Sequence, residues 1–112
     1  MTGPEIRFQL QKLLCSTRQT LERIRTEVGD DHLAMIRERP SLVVYMALEG
    51  ILQGLLCQED VEHAVRASVE AHEAQTVETV AALGPEVPRH EEWLRLAAGA
   101  MWAAYGRRIL AP

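Results

Sequence analysis

The sequence has 112 residues, of which 47% are hydrophobic and 25% are charged, and its net charge is −4. These proportions are those of a folded globular domain and argue against an intrinsically disordered chain. The negative net charge argues against binding to a nucleic-acid duplex, which usually requires a basic protein face. We therefore predict one folded domain that spans residues 1–112.

Three features of the sequence bear on the location of the protein. Cys15 and Cys57 form no CxxC pair and each lies beside a leucine, which predicts two small buried side chains rather than a disulfide framework. The N-terminal residues lack the charged and apolar segments of a signal peptide. The apolar run over residues 42–56 contains Glu49 and Gln53 and is shorter than a membrane span of about 20 residues. We expect a cytoplasmic protein without a membrane span.

The first predicted helix runs from about Pro4 to Val28. Thr2 and Glu5 fit a capping box at its start, and Gly29 is a natural stop after its end. Apolar or small side chains recur every three or four residues, which predicts one buried stripe. The members of this stripe are Ile6, Leu10, Leu13, Thr17, Leu21, Ile24 and Val28.

Pro40 separates the next two predicted helices. A short second helix is expected from about Asp31 to Arg39, with Leu33 and Ile36 as its apolar anchors. Pro40 should end it, because the residue before a proline is pushed out of the helical region. A third helix should begin after Ser41, a good N-cap, and its sequence LVVYMALEGILQGLLC is apolar on nearly every face.

Two more helices are predicted in the second half of the chain. The fourth covers about Glu59 to Leu83, and we place a break near Gln58, because a single helix over residues 42–83 would be roughly 60 Å long. The fifth runs from about His90 to Leu110. The turn between them is marked by Gly84, Pro85 and Pro88. The predicted fold is an all-α antiparallel bundle of four long helices and one short helix.

The third and fifth predicted helices carry more apolar surface than one small core requires. Trp93 and Trp102 are nine residues apart and so lie on opposite faces of the fifth helix. We expect Trp93 to face the core beside Ala97, Ala100 and Ala104, and Trp102 to lean outward under a second copy of the chain. Another partner, or a core that encloses both faces, is the alternative. The candidate interface residues are Trp102, Tyr105, Met101, Arg95 and Ile109.

Small residues four positions apart occur in two of the apolar helices. They are Gly50 and Gly54 in the third helix, and Gly99 and Ala103 in the fifth. Each helical glycine costs about 1 kcal/mol relative to alanine, so we expect close packing of these two helices to offset the cost. The alternative is a ligand pocket lined by Glu49, Gln53, Gly50 and Gly54.

No motif in the sequence indicates catalysis. His63 and His72 are nine residues apart on one helix and cannot share a metal ion there, and no HExxH motif is present. A GxSxG nucleophile motif and a glycine-rich phosphate loop are also missing from the sequence. We predict no catalytic residue, no metal site and no cofactor. Sequence patterns do not identify the residues of an active site that assembles from distant positions.

The leading functional hypothesis is therefore a non-enzymatic interaction or small regulatory module that dimerises or docks through an apolar helix face. One alternative is a bundle that binds a small hydrophobic ligand. The other is a regulator associated with nucleic acid through the basic residues of the first helix, although glutamates are interspersed among them. Those basic residues are Arg7, Lys12, Arg18, Arg23 and Arg25.

Overall fold

The computed structural model describes residues 2–83 and 90–111, without the side chains of Leu83 and His90. These residues form four α-helices and no strand, so the prediction of an all-α fold is confirmed. The helices are α1 (Gly3–Val28), α2 (His32–Leu56), α3 (Val61–Leu83) and α4 (His90–Leu110). The predicted turn at Gly84, Pro85 and Pro88 lies outside the described residues.

The ends of α1 are those that the sequence predicts. The Thr2 side chain accepts a hydrogen bond from the Glu5 backbone N–H at 3.4 Å and so caps the first turn. Gly29 follows the last turn with a φ of 51°, a conformation that glycine adopts without a steric penalty. The helix begins at Gly3, one residue before the predicted start at Pro4.

The predicted second and third helices are one continuous helix, α2, with Pro40 inside it. Asp31 caps its start, because its Oδ1 accepts from the backbone N–H groups of Leu33 at 3.0 Å and Ala34 at 3.2 Å. The prediction that a short second helix stops at Pro40 is wrong, since the chain forms one helix from His32 to Leu56. Proline removes one backbone donor and disfavours the helical conformation of Arg39, but it does not forbid that conformation.

Leu33 and Ile36, the predicted anchors of the short helix, lie on the outside of α2. Their exposed fractions are 77% and 70%, whereas Ala34 is only 5% exposed and packs with Ile24 and Val28 of α1. In the continuous helix, Ala34 is five turns before Leu52 and shares its face. The buried second half of α2 therefore determines which face of the first half points inward.

The main core draws side chains from all four helices. Those of α1, α2 and α3 recur every three or four residues, whereas α4 contributes two adjacent residues. The residues of α2 and α3 lie next to the short segment that joins these helices. The buried members are Ile6, Leu10, Leu14, Leu48, Leu52, Leu55, Val61, Val65, Val69, Trp102 and Ala103. The core thus lies at the end of the bundle where α2 passes into α3, which confirms a helical bundle as the architecture.

Arg7 links the start of α1 to the end of α2. Its Nη1 donates to the Leu56 carbonyl at 2.8 Å, and its Nη2 donates to the Gln58 carbonyl at 2.9 Å. The last carbonyls of a helix have no partner within the helix, so the guanidinium satisfies groups that would otherwise require water. This contact brings the start of α1 to the end of α2.

The molecule is flatter and more extended than its length requires. Its extents are 45 × 38 × 21 Å and its radius of gyration is 15.5 Å. A compact domain of this length has a radius of gyration of about 13 Å. The smallest extent corresponds to two layers of helix, each about 10–12 Å across. Helix surface far from the main core is therefore left without a cover.

The glycines of α4 allow close packing, and those of α2 do not take part in it. A Cβ added at Gly106 would overlap Val69 Cγ2, and one at Gly99 would lie 2.7 Å from His72 Cδ2. A Cβ at Gly50 or Gly54 would meet no neighbouring atom within 4 Å. The prediction that Gly50 and Gly54 pack closely is therefore wrong, because the close approach is between α3 and α4.

We predict opposite effects on stability for alanine at Gly106 and at Gly50. Gly106→Ala should lower the free energy of unfolding by about 1–3 kcal/mol, because its methyl group overlaps Val69 in a filled core. Gly50→Ala should raise it by up to about 1 kcal/mol through helix propensity alone. Urea denaturation followed by circular dichroism measures both, and equal changes in the two variants would contradict the packing described here.

Candidate functional site

Trp102, the centre of the predicted interface, lies in the core with an exposed fraction of 0%. Trp93, which the sequence places inward, is 38% exposed, so the predicted orientation of α4 is reversed. Ala98 and Ala103 are buried in place of the predicted alanines. Both faces of the helix are apolar, so the sequence of α4 alone does not decide which one turns inward.

The other predicted interface residues are divided between two surfaces. Met101 and Ile109 are partly buried against the core, while Tyr105 is 38% exposed and lies beside Met101. Arg95 is exposed and lines a different groove. The structure therefore brings Tyr105, Met101 and Ile109 to one side of α4 and does not join Arg95 to them.

The four residues of the predicted ligand pocket do not enclose a cavity. Glu49 Oε2 lies 3.3 Å from Arg18 Nε in an ion pair, and the Glu49 side chain is 28% exposed. Gln53, Gly50 and Gly54 are exposed. The polar strip of α2 is thus a solvated edge, and Glu49 finds its charge partner on α1.

A hydrogen-bonded group that the sequence analysis missed fixes Trp102. The Trp102 Nε1–H donates to Ser68 Oγ at 3.0 Å. His72 Nδ1 lies 2.8 Å from the Ser68 carbonyl, and because a carbonyl only accepts, we assign the ring proton to Nδ1. The sequence shows that Ser68 and His72 are four residues apart on one helix. Nothing in the sequence predicts that Ser68 contacts Trp102 of α4.

Two of the cavities between helices combine polar and apolar lining residues from α4 and its neighbours. The first, the α2–α3–α4 groove, has a volume of about 420 Å³, and among its lining residues are the apolar Ala47 and Ile51, the polar Gln75 and Thr79, and half-buried His72. Glu92 and Arg95 also line this groove, so it contains both charge signs. The second, the α1–α4 cleft, has a volume of about 510 Å³. It is lined by Gln9, Lys12, Leu13, Ser16, Tyr105, Arg108 and Ile109.

Four large apolar side chains of α2 are exposed, three of them near its start and the fourth, Met46, in its second half. We call this set the outer α2 surface; it consists of Leu33, Met35, Ile36 and Met46. Their exposed fractions range from 45% to 77%. On α3, Val77 and Val80 are also exposed, at 68% and 55%. Apart from Met46, these side chains belong to parts of the helices that contribute no residue to the main core.

An ion pair joins α3 to α4 next to the buried tryptophan. Arg107 donates from Nε to Glu73 Oε2 at 3.1 Å, and its Nη2 contacts the second carboxylate oxygen. This two-point hydrogen bond lowers the pKa of Glu73 below its ordinary value of 4.5 and raises that of Arg107. Both groups are exposed, so the pair orients the two helices more than it stabilises them.

Within residues 2–83 and 90–111, no three His, Cys, Asp or Glu side chains are arranged to hold a metal ion. In the same ranges, no helix is long and apolar enough to cross a membrane. Cys15 and Cys57 are free and exposed, so the prediction that they are buried is wrong.

Comparison with protein-family models, curated proteins and solved structures found no match.

Removal of the Ser68 hydroxyl should destabilise the bundle. We expect Ser68→Ala to lower the free energy of unfolding by about 1–3 kcal/mol, because the buried Trp102 N–H loses its acceptor. Ser16→Ala, at an exposed position of α1, is the matched control, since it gains the same helix propensity without breaking a buried hydrogen bond. Chemical denaturation compares the two variants, and equal stabilities would show that the Trp102 bond contributes nothing.

The Glu73–Arg107 pair predicts an acid-dependent contribution to stability. Because the pKa of Glu73 is lower in the folded chain, the contribution is present above the unfolded-state pKa and is lost as the pH falls through the folded-state pKa. Titration of the Glu73 carboxyl carbon by NMR should show this low pKa, and Arg107→Gln should return it toward 4.5. Arg108→Gln, which removes the neighbouring cation, should leave the Glu73 titration unchanged.

Proposed function

We propose that this chain is a non-enzymatic interaction module, with a small regulatory role, which forms a homodimer through the outer α2 surface. The observation that carries the proposal is the exposure of Leu33 and Ile36, at 77% and 70%, on neighbouring turns of one helix. Full burial of one such side chain stabilises a protein or a complex by roughly 1.5–3 kcal/mol. Because both side chains are mostly exposed, most of this stabilisation is available to a binding contact.

The grouping of these side chains supports an interface more than their number does. Single exposed apolar residues are common, whereas a contiguous apolar patch on a small protein marks a surface that binds something. Met35 and Met46 are also exposed, on an adjoining face of α2, and methionine is a residue type enriched at protein interfaces. The sequence predicts an excess of apolar surface on the fifth helix. We propose instead that the exposed apolar side chains of α2 form the interface.

A second copy of the chain is the occupant that the charges favour. Arg37 and Glu38 follow Ile36 on α2 and pair with each other, at 3.7 Å between Arg37 Nε and Glu38 Oε1. A two-fold contact sets the same patch against itself, so a surface with both charge signs can pair across the axis without repulsion. A flat molecule two helix layers thick also offers a broad face for such a contact.

The alternative functions have less support. Arg7 and Arg18, two of the basic residues proposed for nucleic-acid contact, are engaged by backbone carbonyls and by Glu49.

The exposed free thiols of Cys15 and Cys57 support a reducing, cytoplasmic location. We also propose that all four helices alternate in direction, as the Arg7 contact supports for α1 and α2.

Charged residues on the outer α2 surface should separate the dimer. In analytical ultracentrifugation at micromolar concentration, we expect the wild-type chain at twice its mass of 12.6 kDa. The variant Leu33→Glu/Ile36→Glu should sediment as the monomer with its helical circular dichroism retained, because both side chains are outside the core.

Phe8→Glu is the matched control, since Phe8 is a 57% exposed apolar residue on α1. It should leave the dimer intact. A wild-type chain that sediments as a monomer would refute the homodimer, and a dimer that survives both substitutions in α2 would place the interface elsewhere. A monomer that binds another protein only when Leu33 and Ile36 are present would indicate docking to a different partner.

A further inference from the structure

We propose that the α1–α4 cleft binds a small amphipathic carboxylate, an alkyl chain of medium length with one carboxylate group. The cleft is a separate feature from the outer α2 surface. Its volume of about 510 Å³ lies within the range of about 300–1,000 Å³ that is usual for small-molecule sites. Its lining combines an apolar floor with cationic and hydrogen-bonding groups.

The floor of the cleft reaches the main core. Leu13 of α1 and Ile109 of α4 line it, and both are partly buried apolar side chains packed against the core cluster. The Tyr105 ring adds an aromatic wall. An alkyl chain laid against these three side chains would remove apolar surface from water on both sides of the contact.

The charges of the cleft have one sign. Lys12 and Arg108 both line it, and no carboxylate does. This is unusual in a chain with a net charge of −4. The α2–α3–α4 groove differs, since Glu92 accompanies Arg95 there. A carboxylate bound in the cleft would therefore meet two cations and no competing anion among the lining residues.

Both cations are free to meet a ligand. Arg107 forms a two-point contact with Glu73, whereas the adjacent Arg108 forms no ion pair within the described part of the chain. The Lys12 ammonium lies 5.9 Å from the centroid of the Phe8 ring, which holds it near α1 without neutralising its charge. A guanidinium can bind a carboxylate through two parallel hydrogen bonds.

The neutral polar groups of the cleft can also donate. The hydroxyl groups of Ser16 and Tyr105 and the amide of Gln9 line it together with the two cations. This set of donors beside an apolar floor fits a ligand with an anionic head and an apolar body. A small hydrated anion such as phosphate would use the donors and leave the floor exposed to water, which is why the proposal specifies an alkyl carboxylate.

Calorimetric titration of the full-length chain with decanoate, below the concentration at which decanoate forms micelles, tests the proposal. We expect saturable binding at one site per chain, with much weaker binding of decan-1-ol, decyltrimethylammonium and inorganic phosphate. Arg108→Gln and Lys12→Gln should each weaken decanoate binding about tenfold, because each removes a charge-assisted interaction.

Arg95→Gln is the matched control, since Arg95 is another exposed arginine that lines the other groove. It should bind decanoate as the wild type does. Circular dichroism confirms that each variant is folded, which exposed positions permit. The Leu33→Glu/Ile36→Glu variant should also bind decanoate, which separates this site from the proposed dimer interface.

Four results would overturn the proposal. The first is equal affinity for decanoate and decan-1-ol, since the cations would then contribute nothing. The second is equal affinity for phosphate and decanoate, since the apolar floor would then be irrelevant. The third is wild-type affinity in both Arg108→Gln and Lys12→Gln. The fourth is an absence of saturable decanoate binding in the folded wild-type chain.

Discussion

The burial of Trp102 is the contact on which the rest of the bundle depends. The largest side chain of the core is fully enclosed, and its only polar atom donates to Ser68. An indole N–H without an acceptor in such a site would be costly, so Trp102 can be buried only where α3 presents a hydroxyl. Gly106 lets α3 approach α4 closely enough for this bond to form. The rotation of α4, and hence which of its faces meets water, follows from that contact.

Much of the fold could be predicted from local sequence signals. The capping residues Thr2 and Asp31, the stop at Gly29 and the break near Gln58 each act over a few residues, and each marks a helix end in the structure. The errors concern choices that local signals leave open. Pro40 disfavours a helix without forbidding it, and the folded environment of Leu48 and Leu52 decides that the helix continues.

The orientation of α4 and the candidate sites could not be read from the sequence for a related reason. Trp93 and Trp102 both lie on apolar faces, so periodicity gives two equivalent solutions. The deciding partner, Ser68, is 34 residues away along the chain. The α1–α4 cleft shows the same limitation, because Lys12 and Arg108 meet only when two distant helices pack side by side. Both features depend on contacts between residues of two different helices, so the sequence of either helix alone does not predict them.

Pro40 also divides α2 into two parts that differ in cooperativity. Because proline has no N–H, the Ile36 carbonyl lacks its donor within the helix, and the chain of backbone hydrogen bonds is interrupted there. The second half of α2 is held by the four-helix core, whereas the first half is held by the small cluster of Ile24, Val28 and Ala34 and by an exposed ion pair between Arg39 and Glu91. The first half can therefore open at a free energy below that of global unfolding. Its amide protons should exchange with solvent through this partial opening, while those near Leu52 require the whole bundle to unfold.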